Sequence, residues 1–456
     1  MRVAPKRLSP VTVLLSLAAV TALLLFGLDG ENNSEAEGVA ISILVASVVW
    51  ATFCFIIARQ IDVRTRRAIS VILAIKVIVG LLFFYFVYAP ASDISSSDQL
   101  AIGNYQSDSK GIDYAARVFD SERASSGLSQ ALWGDYYRAI NNDGVGVAYG
   151  VLYGAFGPYC TATIPWHAFA MGLAALILVE LGLLLEADIV VARRSAIVTL
   201  LMPTFFVGAP LYRDQFMIML ILLIVLSIIV AMKGRWHGWM VAIIATFVLQ
   251  TLRTPYVVMP LIVFAAWMGY RIISTGVRLR DNVTVFTGFL ASLASIIVLS
   301  TMIGTHLEIG EDLLTRLTET ANRDEVAARV GGGYMGAFIF ILLAPMPWYQ
   351  NVSPVLLSLQ VFDYAQTFLF LTTLAALLIR PAEIMRTRPT AVALISGILI
   401  LVSAVVAPDL AQRYGQIGMP LLLLGVMPSL MNNWLRCGVV AGTVIALAHI
   451  VLEIIR

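Results

Sequence analysis

Charge is what this sequence most lacks. Only 13% of its 456 residues are charged, against about 25% in average soluble domains. A water-facing surface of the size this chain would need cannot be covered with so little charge. The rest is 59% apolar or aromatic, with a mean hydropathy of +0.88, so a soluble globular enzyme is excluded. Neither sign is in excess: 30 Lys and Arg stand against 28 Asp and Glu, which excludes a polybasic nucleic-acid surface and an acidic tail. Cysteine is equally sparse. Cys54, Cys160 and Cys437 show no paired spacing, so neither a disulfide framework nor a zinc motif follows. His167, His237, His306 and His449 are dispersed, no metal site is evident, and the cofactor stays unknown. The alternation expected of a membrane barrel strand, about ten residues of apolar-out and polar-in, is missing too: Met217–Met232 is apolar on every side.

What the chain has instead is a succession of apolar runs, each near the roughly 20 residues that a helical crossing needs. They predict an all-α polytopic integral membrane protein forming a single membrane domain over 1–456. Crossings are expected at 10–28, 39–58, 68–88, 165–185, 195–211, 215–232, 237–252, 256–271, 283–303, 360–379, 390–407, 417–431 and 437–454, about 13 in all, within bounds of about 11 to 14. Lys and Arg in short loops stay on the cytoplasmic side. Placing the N-terminus there puts Arg59 to Arg67, Arg193 and Arg194, Lys233 and Arg235, Arg271 to Arg280, Arg380 to Arg388 and Arg436 inside. Tyr334–Pro354, broken by Pro345, Pro347 and Pro354, would reverse that bias if it crossed. It is read as a re-entrant or interfacial element on the outer face, since broken backbone at membrane depth must be buried in protein or line a wet cavity.

Two outer segments, 89–164 and 304–358, are too long to be simple connections. In the first, Ile112, Ala115, Ala116 and Phe119 recur at helical spacing, as in an amphipathic helix at the interface. Gly144–Gly157, rich in glycine with Tyr149 and Tyr153, can dip into the membrane.

Three arginines break the positive-inside pattern. Arg213, Arg253 and Arg413 lie in short outer connections at the ends of apolar helices. A permanently charged planar fork there suits bidentate phosphate recognition; snorkelling to lipid headgroups or pairing with Asp214 or Asp409 is the other reading. Among the carboxylates, Asp113 and Asp98 on the first long loop are candidates to deprotonate a hydroxyl. Asp214 follows Arg213 and opens a helix, where the dipole favours its charge and where it can orient the arginine. Trp133, Tyr136, Tyr137, Trp166, Trp348 and Tyr349 fall on outer segments, either as an interfacial belt or, for Trp348 and Tyr349, as faces for sugar rings. Charges inside helices are few, Lys76, Glu180 and Glu453, without the matched intramembrane carboxylates of a coupled transporter.

In order along the chain, these elements resemble those of bacterial polysaccharide repeat-unit polymerases of O-antigen and exopolysaccharide assembly, EpsG-like proteins, and related GT-C-type membrane glycosyltransferases. The elements are Asp113-Tyr114 after an acidic loop, the Gly144–Gly157 stretch, Arg213-Asp214, Leu252-Arg253-Thr254-Pro255-Tyr256, Pro345-Met346-Pro347-Trp348, and Arg413-Tyr414 before Pro420. An Asp-x-Asp signature common in GT-C enzymes is missing. The resemblance implies transfer of a sugar or oligosaccharide from a polyprenyl-(di)phosphate carrier to an acceptor hydroxyl at the outer leaflet of a bacterial inner membrane, alongside other polysaccharide-assembly proteins. Arg213, Arg253 and Arg413 would hold the phosphates, Asp113 or Asp98 would act as base, and Trp348, Tyr349, Tyr256 and Tyr414 would line the substrate channel. A lipid-linked oligosaccharide flippase or exporter, and an O-antigen ligase using His306, remain the alternatives.

Overall fold

Where each helix starts and stops is set by a few polar residues in an otherwise apolar chain. In a computed structural model that describes residues 10–13, 15–16, 34–56, 61–88, 114–133, 143–203, 214–252, 354–379, 392–398, 400 and 417–455, every regular element is a helix. Among the described residues, five helices are long and apolar enough to cross a membrane: Glu35–Ile56, Val63–Phe86, Cys160–Leu184, Asp214–Met232 and Met419–Leu447. The chain forms two compact units, the first holding 1–177 and 206–257 and the second 178–205 and 312–456 among its parts.

In the first unit, α1 (Glu35–Ile56), α2 (Val63–Phe83) and α5 (Ile164–Leu184) form a three-helix core. Between them come α3 (114–126) and α4 (Asp143–Phe156). Asp62 begins α2 by accepting from the Thr65 N–H, the role of an N-cap. Contacts then fix direction. Ser42 Oγ donates to the Ala162 carbonyl at 2.6 Å, and further along both helices Trp50 fills the space that Gly172 leaves, so α1 and α5 run the same way. On α2 the order reverses, with Leu73 at Gly172 and Gly80 at Ile164, so α2 runs against both. Trp50 Nε1 donates to Ser70 Oγ at 2.9 Å, and Trp50 and Phe53 each set an edge against Phe169, with centroids 6.2 Å apart. One stripe of α2, Thr65, Ile69, Leu73, Lys76 and Gly80, is buried, which holds the Lys76 ammonium inside the bundle. The opposite faces carry exposed Leu44, Val48, Phe55, Val71, Ile75 and Ile78, an apolar surface suited to lipid.

The helices α7 (Asp214–Met232) and α8 (His237–Leu252) form a hairpin in the same unit. Its turn is a Schellman motif: Arg235 N–H donates to Val230 O at 3.3 Å, Gly234 N–H donates to Ala231 O at 2.9 Å, and Gly234 takes φ +87°, the left-handed conformation that glycine adopts without a Cβ clash. No atom lies within 4 Å of where its Cβ would be, so the penalty of a side chain is purely backbone. Gly234→Ala is expected to lower stability by roughly 1 kcal/mol, read as an earlier melting midpoint of the detergent-solubilised protein. Gly238 meanwhile brings α8 against the backbone of α7 at Ser227 and Ala231. All of α7 but Asp214 and Phe216 in its first turn is buried in protein, which makes it a central helix.

The second unit contains α6 (Ile189–Leu200), α9 (Pro354–Ile379) and α10 (Met419–Ile455). Ser195 Oγ on α6 reaches the Leu423 carbonyl at 3.5 Å, and Ser429 Oγ donates to the Ala376 carbonyl at 3.0 Å, tying α10 to α9. Gly425 sits against Leu394 and Gly397 against Leu422. The end of α5 belongs here and repeats the Schellman geometry, but with Glu186 at φ 59°. Glu186→Gly is therefore expected to raise the melting midpoint, since a non-glycine residue pays roughly 1–2 kcal/mol in that conformation.

Several expected boundaries differ. Of the expected crossing 195–211, residues 204–211 lie outside the described residues, and the part that is described belongs largely to α6, begun at Ile189 because Asp188 caps it through the Val190 N–H at 2.7 Å. Its 12 residues span about 18 Å, less than the roughly 30 Å of a bilayer core, and they include Arg193 and Arg194, which the sequence reading assigned to a break. The gap expected between the crossings 417–431 and 437–454 holds the non-helical residue Asn433, φ −134°, where α10 kinks between its two helical parts. The expected crossings at 256–271 and 283–303 and residues 334–353 of the outer element lie outside the described residues, and Pro354 opens α9 ahead of the expected crossing at 360–379.

Candidate functional site

Glycine spacing builds the site. Gly146, Gly150 and Gly154 recur every fourth residue on α4 and so line one face, where small residues let helices approach closely. Against them lie Ala115, Phe119 and Arg123 of α3, in the same order, so α3 and α4 are parallel. The amphipathic spacing of Ala115, Ala116 and Phe119 is thus spent on α4, and all three are buried. Charges crown this pair: Arg123 bridges Asp120 at 3.0 Å, and the Arg117 guanidinium lies 5.8 Å from the Tyr153 ring centroid, within reach of a cation–π contact.

The 14 residues of α4 reach about 21 Å, too short to cross. Gly157 at φ +88° ends the helix and Tyr159 follows, so the chain turns back at once into α5. Two turns before this connection Tyr149 meets His167, which lies two turns after it: Oη to Nε2 is 2.8 Å, and both side chains are buried. The pair therefore lies about 11 Å from the connection along the helix axes. Phe216, in the first turn of α7, sets its ring at 6.2 Å from Tyr149 and 5.6 Å from His167, edge to face in both cases.

Asp214 is half-buried as the first residue of α7, where the positive end of the helix dipole favours a carboxylate. Gln215 beside it is 4% exposed and its Oε1 has no hydrogen-bond partner among the described residues. Such a buried acceptor costs about 1–3 kcal/mol. Of the other candidates, Asp98, Asp113, Arg213, Arg253, Tyr256, Trp348, Tyr349, Arg413 and Tyr414 lie outside the described residues. Three described neighbours converge nonetheless. Tyr114 opens α3 within about a turn of Tyr149, because Ala115 faces Gly146; Asp214 opens α7 beside Phe216; and Leu252 closes α8 at the same end of the α7–α8 hairpin.

Trp166 departs from the belt reading. It is 3% exposed, stacked on Phe156 at 5.9 Å and edge-on to Phe169 at 5.8 Å, a core residue. Sequence reasoning passed over His167, Tyr149 and Gln215. The available signal was the position of His167 within an apolar run, since ionisable groups at membrane depth mark function more often than chance. It also passed over Glu35, whose Oε1 accepts from Thr161 Oγ1 at 2.7 Å and Tyr85 Oη at 3.4 Å, clamping the ends of α1, α2 and the turn before α5. Among the described residues, no group of three or more His, Cys, Asp or Glu could hold a metal ion. Compared with known proteins, the chain matches no family model, no curated protein and no solved structure.

Proposed function

We propose that the chain is a membrane glycosyltransferase or polymerase of cell-surface polysaccharide assembly, moving a sugar or oligosaccharide from a polyprenyl-(di)phosphate carrier to an acceptor hydroxyl. The observation that carries this reading is the start of α7: an apolar, protein-enclosed helix opens on Asp214 directly after Arg213, with Tyr149 and His167 against its first turn. Apolar helices suit a prenyl chain, and a polar cluster about two turns below the helix connection suits a headgroup. In this reading the protein crosses a bacterial inner membrane about 13 times, at roughly 20 residues a crossing, with its N-terminus in the cytoplasm and the Glu35 end outward. Arg213, Arg253 and Arg413 hold the (di)phosphate, whose charge grows as the glycosidic bond breaks and is best met by fixed cations. Asp113 or Asp98 faces the acceptor, Asp214 orients Arg213, and Trp348, Tyr349, Tyr256 and Tyr414 line the channel.

The test is Arg213→Ala, Arg253→Ala and Arg413→Ala together in a strain that depends on this chain, with protein level checked by immunoblot. Polysaccharide of shortened chain length or reduced amount is expected. Normal polysaccharide from a normally expressed triple variant removes the phosphate site.

A further inference from the structure

The hairpin of α7 and α8 ends in an open, positively charged turn. Lys233, Gly234, Arg235 and Trp236 are all exposed, and no atom lies within 4 Å of where a Gly234 Cβ would be. From Gln215 to Leu252 the sequence contains no Asp or Glu, so the charge at this turn is purely positive. The Gly238 and Trp239 N–H groups, which could have met an anion at the start of α8, donate to the Arg235 and Trp236 carbonyls at 3.0 Å each. Anion recognition here falls to the side chains. From the turn an apolar row runs along α8. Trp236, Met240, Ile244 and Val248 follow one another at helical spacing, with exposure falling from 70% at Trp236 to 38% at Val248, while Val241, Ala245 and Leu249 are buried on the other face. The row spans about 18 Å, against roughly 15 Å for one leaflet of a bilayer core. Its tryptophan lies at the charged end, as amphipathic rings do at a membrane interface.

We propose that this turn and row bind one anionic phospholipid of the leaflet they face, with its phosphate held by Lys233 and Arg235 and one acyl chain laid along Trp236, Met240, Ile244 and Val248. Charge and length select this occupant together. A second copy of the chain, docked on the row about a two-fold axis, would bring Lys233 and Arg235 toward their own equivalents, where like charges repel. A zwitterionic lipid carries a cation of its own beside the phosphate. An anionic phospholipid brings net negative charge to the turn and an apolar chain about one leaflet long to the row. The inference rests on the apolar, membrane-length helices and not on the transferase reading, so either can fail without the other.

The experiment uses the full-length protein in phosphatidylcholine nanodiscs doped with phosphatidylglycerol or phosphatidylcholine that carries a photoreactive diazirine in one acyl chain. After illumination, labelled peptides are quantified by mass spectrometry. The exposed α1 face at Leu44 and Val48 is the reference for lipid that merely surrounds the protein, since no Lys or Arg lies on that helix. A Lys or Arg near an anionic lipid is worth about fivefold in affinity, so the two at this turn are expected to favour phosphatidylglycerol about 25-fold over phosphatidylcholine at Met240 and Ile244, relative to α1. Lys233→Gln with Arg235→Gln should bring the α8 ratio down to that of α1 while leaving the melting midpoint in detergent unchanged, because both side chains are exposed. Equal ratios at α8 and α1 in the wild type overturn the proposal, as does a ratio that survives the double variant. Absence of label from either lipid on α8, with cross-links between two copies at Met240 in its place, assigns the row to a second copy and overturns it as well.

Discussion

Gly150→Leu is expected to separate α3 from α4 and leave a protein that melts early and makes no polysaccharide. Even a methyl group at position 150 would run into the Phe119 ring, and the Ala116 carbonyl stands 3.0 Å from the same point. Leucine adds three more carbons. Two effects oppose each other: leaving glycine inside a helix gains about 1 kcal/mol of propensity, while overpacking a closed interface costs typically 1–3 kcal/mol and sometimes more. Backbone atoms cannot swing aside as a side-chain end can, so overpacking wins. Gly442→Leu is the control. Nothing lies within 4 Å of its Cβ position on α10, so only the propensity term acts and stability should hold or rise. Equal melting midpoints for the two variants in detergent would show that α3 and α4 do not depend on this contact.

The second large effect concerns chemistry. In transfer assays with lipid-linked saccharide, Arg213→Ala is expected to lose activity roughly 10–100-fold, on the basis of about 1.5–3 kcal/mol for a hydrogen bond to a charged group. Arg213→Lys should recover only part of it, because an ammonium keeps the charge but not the planar fork that matches two phosphate oxygens. The alternative, in which Arg213 merely neutralises Asp214, has a different signature: Asp214→Asn would then rescue Arg213→Ala by removing the stranded carboxylate. Restored transfer in that double variant would take Arg213 out of the phosphate site and leave it a structural partner.

The chain's scarcity of charge was enough to exclude a soluble fold and to foretell an all-helical protein with long apolar helices, because a helix that meets lipid must be apolar along its length and cannot hide that in its composition. Helix starts were legible where a short polar side chain caps them, as Asp62 does through Thr65. The α3 spacing was legible as well, but not its purpose: a buried stripe reads the same whether lipid headgroups or another helix cover it, and only packing against Gly146, Gly150 and Gly154 decides. The short α6 was not legible, since hydropathy records how apolar a stretch is and not where the backbone stops, whereas the break at Asn433 falls inside the gap expected between 431 and 437. Arg213, Arg253 and Arg413 could be singled out in sequence because positive charge on the wrong side of a short loop is a local anomaly. His167 stood out only as an ionisable residue in an apolar run, and its meaning comes from what faces it. Tyr149 and Phe216 lie 18 residues before and 49 after it, and it is the fold-back of α4 along α5, with the first turn of α7 against both, that makes the three one site.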